Sequence, residues 1–201
     1  LSLHDALPIS YHLSFTAMYA PGWFVMGVVL SVGLFTATSP EITILYHILL
    51  GLSLTSWSYM GGAFFKRAQL SGITITIITL VLGIIAQAFG SKTGSGGLVM
   101  ALSALFAPCN YVWFMMYIAR FEEQDIGANL NQNAPNLWKT KGTWFFVFLF
   151  IQIFAYAAIG VFVERWLHGT ASKGRITVKE NMGTGPDRKS TRLNSSHQYY
   201  L

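Results

Sequence analysis

The chain has 201 residues, of which 53% are hydrophobic and only 10% charged, and its formal net charge is +5. A soluble domain carries about 25% charged residues, so this composition, with a mean hydropathy of +0.47, describes an integral membrane protein. The single Cys109 excludes an internal disulfide framework. The basic residues flank apolar runs and do not interleave with exposed aromatics, which favours membrane boundaries over nucleic acid as their role.

Residues 1–10 carry no initiator Met and no cationic n-region, so they do not read as a signal peptide. Like residues 188–201, they resemble translated sequencing-adapter read-through. Both stretches are set aside, and the Asn194-Ser195-Ser196 sequon goes with the second. The residues between them read as a fragment of a longer protein.

Residues 13–38 predict one long helix, kinked at Pro21-Gly22. Runs 42–65, 70–89, 98–119 and 143–163 contain no Asp, Glu, Lys or Arg. Each has roughly the 20 residues that cross a hydrocarbon core of about 30 Å. Gly27-xxx-Ser31, Gly33-xxx-Ala37 and Ser58-xxx-Gly62 have the small-xxx-small spacing that lets helix backbones approach closely. Along 42–65, Thr43, Ser53, Thr55, Ser56 and Ser58 supply hydroxyls, expected in helix–helix contacts, with the lining of a translocation path as the alternative. His47 is the one His within a strongly apolar run and so is an intramembrane polar candidate. The expected state is a neutral imidazole bonded to a neighbouring helix.

Lys66-Arg67 sits in a very short loop with no acidic neighbour, which assigns that loop to the cytoplasm. Residues 42–65 then run inward and 70–89 run back out. The Gly-rich stretch 90–97 becomes an external turn, and its Gly90-Ser91-Lys92-Thr93-Gly94 lacks phosphate-loop spacing.

Run 98–119 carries Pro108 near its middle, which leaves two readings. As a full span it puts the basic C-terminal segment (Arg165, Lys173, Arg175, Lys179) outside. As a hairpin turning at Ala107-Pro108-Cys109-Asn110, it keeps Glu122-Glu123-Gln124-Asp125 outside and delivers the basic segment to the cytoplasm. Pro108 breaks a continuous helix and Asn110 suits a turn or cap. Backbone of this kind is tolerated at membrane depth where protein buries it. The hairpin is therefore the expected topology. Arg120 then either pairs with Glu122 or Glu123 to hold the hairpin against the bundle, or belongs to a solvated charged loop. Trp57, Trp113, Trp138, Trp144 and Trp166 are expected mostly near membrane interfaces. Without His-x-x-x-His, paired Cys or paired carboxylates in the spans, no catalytic, metal or cofactor site is expected in this chain.

These elements together resemble the transmembrane domain of A-subfamily (ABC-2 type) ABC transporters, in wording closest to fungal and related eukaryotic members. The resemblance covers about residues 11–179. Gly51-Leu52-Ser53-Leu54-Thr55 followed by Phe64-Phe65-Lys66-Arg67-Ala68-Gln69-Leu70-Ser71-Gly72 looks like a helix ending at that family's basic intracellular loop. Ala107-Pro108-Cys109-Asn110-Tyr111, then Arg120-Phe121-Glu122-Glu123-Gln124-Asp125-Ile126-Gly127, looks like its external re-entrant helices and the element after them. Val163-Glu164-Arg165-Trp166-Leu167-His168-Gly169 resembles the exit from its last membrane helix.

The resemblance implies an all-α integral membrane fold. It would be a helical bundle of four transmembrane helices (about 13–38, 42–65, 70–89 and 143–165) plus an external re-entrant helical hairpin (98–119). Residues 11–167 would be a partial transmembrane domain and 168–187 a cytoplasmic linker. The substrate would be lipid or another amphipathic molecule. ATP and Mg would act in a nucleotide-binding domain outside this chain. The partners would be the bilayer, an extracellular domain, that nucleotide-binding domain and a second transmembrane half, with no nucleic acid. Lys66, Arg67 and Gln69 are the candidate coupling loop; Pro108, Asn110, Arg120, Glu122 and Glu123 are the candidate hairpin turn and anchor. The alternatives are a stand-alone channel or secondary transporter, or a non-transporting membrane scaffold. A channel or secondary transporter predicts polar groups near the midplane of broken helices, which are scarce here apart from His47 and the hydroxyls.

Overall fold

The computed structural model describes residues 3–65, 68–90, 95–135 and 138–180, with side chains over 13–65, 69–90, 95–135 and 138–167. The elements are α1 (Leu3–Gly33), α2 (Pro40–Gly62), α3 (Ala68–Gly90), α4 (Gly96–Leu105), α5 (Ala107–Glu122) and α6 (Thr143–Glu180). No strand occurs among the described residues, and one isolated bridge joins Asn133 to Lys141. Residues up to Glu164 form one compact unit; from Arg165 onward the chain belongs to a second, in which α6 continues as helix to Glu180.

Four helical stretches are long and apolar enough to cross a membrane: Leu13–Gly33, Pro40–Gly62, Gln69–Gly90 and Thr143–Leu167. Their outer faces are apolar and uncovered. Met18, Val25, Val29 and Val32 on α1, Ile73, Ile77, Leu80 and Ile84 on α3, and Phe150, Ile151, Phe154 and Phe162 on α6 are all exposed. Apolar patches of this extent are rare on proteins that face water and suit helices that face hydrocarbon.

The predicted spans are recovered with shifted ends. α1 runs through Pro21-Gly22 without losing helical assignment and stops at Gly33, short of the expected residue 38. α2 begins three residues after Ala37, with Pro40 in its first turn, where the missing N–H has no helical partner to lose. Glu41 in the same turn complements the positive end of the helix dipole.

Direction can be read from side-chain contacts. α1 and α2 are antiparallel, because Gly27 lies against Ile44 and His47 while Trp23 packs on Gly51. α3 runs back along α2, with Trp57 Nε1 donating to Thr79 Oγ1 (3.1 Å) and Ile75 against Gly61. α6 runs with α2: Ser53 bonds Gln152 (3.1 Å), and Tyr59 bonds Glu164 (3.0 Å). α5 runs with α3, through Cys109 to the Leu82 carbonyl, Trp113 Nε1 to the Ala86 carbonyl (2.9 Å), and Met116 against Gly90.

The core is largely aromatic. Tyr46 and Phe114 stack with ring centroids 3.7 Å apart, and Tyr117, Phe145 and Phe146 close around them. Of the tryptophans expected near interfaces, Trp57, Trp113 and Trp138 are buried in this core, and Trp144 and Trp166 are exposed. An indole is buried without penalty when its N–H finds an acceptor, as Thr79 and Ala86 provide for Trp57 and Trp113. Gly27 alone of the predicted small-residue motifs makes a close approach through its glycine: a Cβ there would stand 2.9 Å from the Ile44 Cα. Nothing lies within 4 Å of a Cβ placed on Gly33 or Gly62.

Candidate functional site

The run 98–119 is not one helix. α4 ends at Leu105, Phe106 adopts extended backbone (φ −133°, ψ 115°), and α5 starts at Ala107. The break thus falls one residue before the stretch expected to turn. Pro108 and Asn110 lie in the first turn of α5, where a proline costs no helical hydrogen bond. The bulky residue just before Ala107-Pro108 takes the extended conformation instead.

Such a break strands backbone groups, and side chains meet them. Gln152 Nε2 donates to the carbonyls of Ser103 (2.7 Å) and Ala104 (3.0 Å). The Tyr156 hydroxyl donates to the Leu105 carbonyl (2.8 Å) and accepts from the Ala107 N–H (3.2 Å). Asn110 Nδ2 donates to the carbonyls of Phe145 (3.1 Å) and Ser103 (3.4 Å), and its Oδ1 accepts from the Tyr46 hydroxyl (2.7 Å). The Ser53 hydroxyl completes the set by donating to Gln152 Oε1 (3.1 Å). Every one of these side chains is buried and none carries charge. Asn110 was legible as a candidate; Gln152, Tyr156, Tyr46 and Ser53 in this role were not. One signal was present: Gln152 is the sole amide in the apolar run 143–163.

A second constellation holds the far end of α5. The Glu122 carboxylate accepts from the backbone N–H groups of Ala37 (3.1 Å) and Thr38 (2.7 Å), in the loop that leads into α2. Thr38 Oγ1 in turn accepts from the Ala128 N–H (3.2 Å). Gly127 closes the junction, since a Cβ there would lie 2.6 Å from the Ala37 carbonyl oxygen. Between them the helix end is wound tightly: Ile126 N–H returns to the Phe121 carbonyl (3.1 Å), Asp125 N–H to Glu122 (3.0 Å), and Asp125 has φ 54°. This is the Schellman pattern, with Asp in the left-handed position that glycine normally takes. Arg120 does not anchor anything distant. It pairs with Glu123 three residues on (3.0 Å), both side chains well exposed, so the clasp belongs to Glu122.

The remaining candidates are dispersed. His47 is fully buried with Nδ1 2.8 Å from the Thr43 carbonyl of its own helix, and among the described residues its Nε2 has no hydrogen-bond partner. It is ringed by Tyr46 and Tyr111, not bonded to a neighbouring helix. Gln69 is exposed in the first turn of α3, while Lys66 and Arg67 lie outside the described residues. Among the α2 hydroxyls, Ser53 reaches α6 and Thr55 returns to the Gly51 carbonyl (2.8 Å). No protein-family model matches this chain, and no curated protein matches it.

Proposed function

We propose that this chain is the membrane-spanning part of an ATP-driven transporter of the A-subfamily ABC kind, moving lipid or another amphipathic substrate. ATP hydrolysis would occur in a domain outside this chain, and the chain itself would carry no catalytic site. In this reading α1, α2, α3 and α6 span the bilayer, and α4–α5 form an external re-entrant hairpin that enters beside α3 and α6 and returns.

The observation that carries the reading is the Phe106 break and its uncharged cage. Irregular backbone survives at membrane depth only where protein satisfies its polar groups, and Asn110, Gln152 and Tyr156 do so without bringing a charge into hydrocarbon. The contact order supports a reversal at the break. Cys109, Trp113 and Met116 climb α3 in its own direction. Ser103 and Leu105, in contrast, meet Gln152 and Tyr156 in the direction of α6, which is opposite to α3. Asn110 and Pro108 then shape the hairpin, Glu122 fixes its outer end, and Lys66, Arg67 and Gln69 form the inner loop available for coupling.

Thiol labelling separates a hairpin from a full span. With Cys109 changed to Ser, single cysteines at Thr93 and Asn131 should both react with a membrane-impermeant maleimide from the same side of sealed vesicles. Labelling from opposite sides would overturn the hairpin. The transporter reading has its own test: the genomic reading frame beyond Lys179 should encode a Gly-x-x-x-x-Gly-Lys-[Ser/Thr] loop within about a hundred residues. An intact frame without one would leave a channel or scaffold.

A further inference from the structure

A cavity of about 810 Å³ lies among α1, α2 and α3, and it shares no residue with the Phe106 cage or the Glu122 clasp. It sits toward the end of the bundle where α2 stops at Gly62 and α3 starts at Ala68: Thr55 and Ser58 line it from the last two turns of α2, and Ser71 and Thr76 from the first turns of α3. Its volume falls within the roughly 300–1,000 Å³ of small-molecule pockets.

The walls have two kinds of surface. On α1 the Phe15 and Tyr19 rings lie nearly parallel, 7° between planes with centroids 6.4 Å apart, and Trp23 continues this aromatic wall one turn on. From α2 and α3 come neutral hydroxyls, two of which have their protons committed. Thr55 Oγ1 donates to the Gly51 carbonyl (2.8 Å) and Thr76 Oγ1 to the Gly72 carbonyl (2.8 Å), so both oxygens are left to accept. No described residue lining the cavity is Asp, Glu, Lys, Arg or His. Gly22 and Gly72 line it too, and a Cβ on either would meet nothing within 4 Å. Glycine weakens a helix relative to alanine, and neither of these two serves a close helix approach. What their bareness provides is room in the cavity.

We propose that this cavity binds a sterol-like lipid alcohol, with its fused rings along the Phe15–Tyr19–Trp23 wall and its hydroxyl donating to Thr55 or Thr76. A phospholipid headgroup would bring a phosphate beside a lining that holds no cation to pair with it. A bare acyl chain would leave the threonine oxygens unused. A flat, uncharged body with one hydroxyl donor matches both surfaces. The inference rests on α1, α2 and α3 crossing the bilayer and not on transport.

The test uses the full chain in phosphatidylcholine nanodiscs, irradiated with a trace of a diazirine-bearing cholesterol analogue, with labelled peptides mapped by mass spectrometry. Label should concentrate on residues 15–26, 54–59 and 71–76. Excess cholesterol should suppress it, and cholesteryl methyl ether, which has no hydroxyl proton, should compete at least about tenfold less well. Gly72→Leu fills the cavity from a position where an added Cβ meets nothing, and it should abolish the label. The comparison of the two competitors needs no variant and stands even if Gly72→Leu inserts poorly. Equal competition by the ether, label retained in a folded Gly72→Leu protein, or label spread evenly over the outer faces of α1, α3 and α6 would overturn the proposal.

Discussion

The α1–α2 contact and the α4–α5 break solve opposite problems. Between α1 and α2 the backbones come close because Gly27 presents no side chain to Ile44 and Gly51 none to the Trp23 ring. Shape alone carries that contact, as expected where lipid tails are as apolar as the helices they surround. At Phe106 shape is secondary. The need there is to satisfy carbonyls and an N–H released from helical pairing, and four buried polar side chains from α2, α5 and α6 share the task with Tyr46. One region tolerates no added volume, and the other tolerates no lost hydrogen bond.

Substitutions should separate these two modes of failure. Gly27→Leu drives side-chain atoms into the Ile44 backbone, which cannot swing aside. It should destabilise by about 3 kcal/mol, read as loss of a monodisperse peak after heating in nanodiscs. Gln152→Leu is close in volume but orphans the Ala104 carbonyl and the Ser53 hydroxyl and leaves the Ser103 carbonyl only its longer bond from Asn110. A loss of about 2 kcal/mol is expected, measured by equilibrium unfolding, with increased reactivity of Cys109 toward thiol reagents as the local readout. Unchanged stability would show that the cage is dispensable. Glu122→Gln keeps the shape of the clasp on the Ala37 and Thr38 amides and removes its charge, and should lower stability by about 1 kcal/mol. Hydrogen exchange at the Ala37 and Thr38 amides would report it directly. Asp125→Gly relieves a left-handed non-glycine residue and should stabilise by about 0.5–1 kcal/mol, visible as a small rise in melting temperature. Arg120→Ala disrupts only an exposed i,i+3 pair and should stay within about 0.5 kcal/mol of the parent.

Much of the scaffold was legible because its signal is one-dimensional. An uninterrupted apolar run marks a helix wherever it sits, and α2, α3 and the first part of α6 fall within a few residues of their predicted bounds. Pro108 correctly announced a break, and its exact place at Phe106 depended on a proline being most at home just inside a helix start. The cage was not legible, because nothing near Ser103 in sequence points to Gln152 or Tyr156. Small-residue spacing had the same weakness. Gly27 is used as predicted, whereas Gly51, Gly61 and Gly160 meet Trp23, Ile75 and Tyr59 without belonging to any of the expected motifs. A spacing rule describes one helix face, and whether a partner arrives there is decided by the other helices. The acidic element at 122–127 shows the limit most clearly: Glu122 and Glu123 are adjacent and chemically identical, yet one binds a distant loop and the other an exposed neighbour.

The cage also has an order in time. Ser103 and Leu105 leave the ribosome 49 and 51 residues ahead of the Gln152 and Tyr156 groups that will cover their carbonyls. Until α6 is synthesised, Asn110 can reach the Ser103 carbonyl, but the Ala104 and Leu105 carbonyls have only water to satisfy them, and hydrocarbon offers none. In the proposed topology, entry of α4–α5 into a bilayer would therefore be coupled to the arrival of a later helix, and a nascent chain stopped before residue 143 would keep its middle on the wet side.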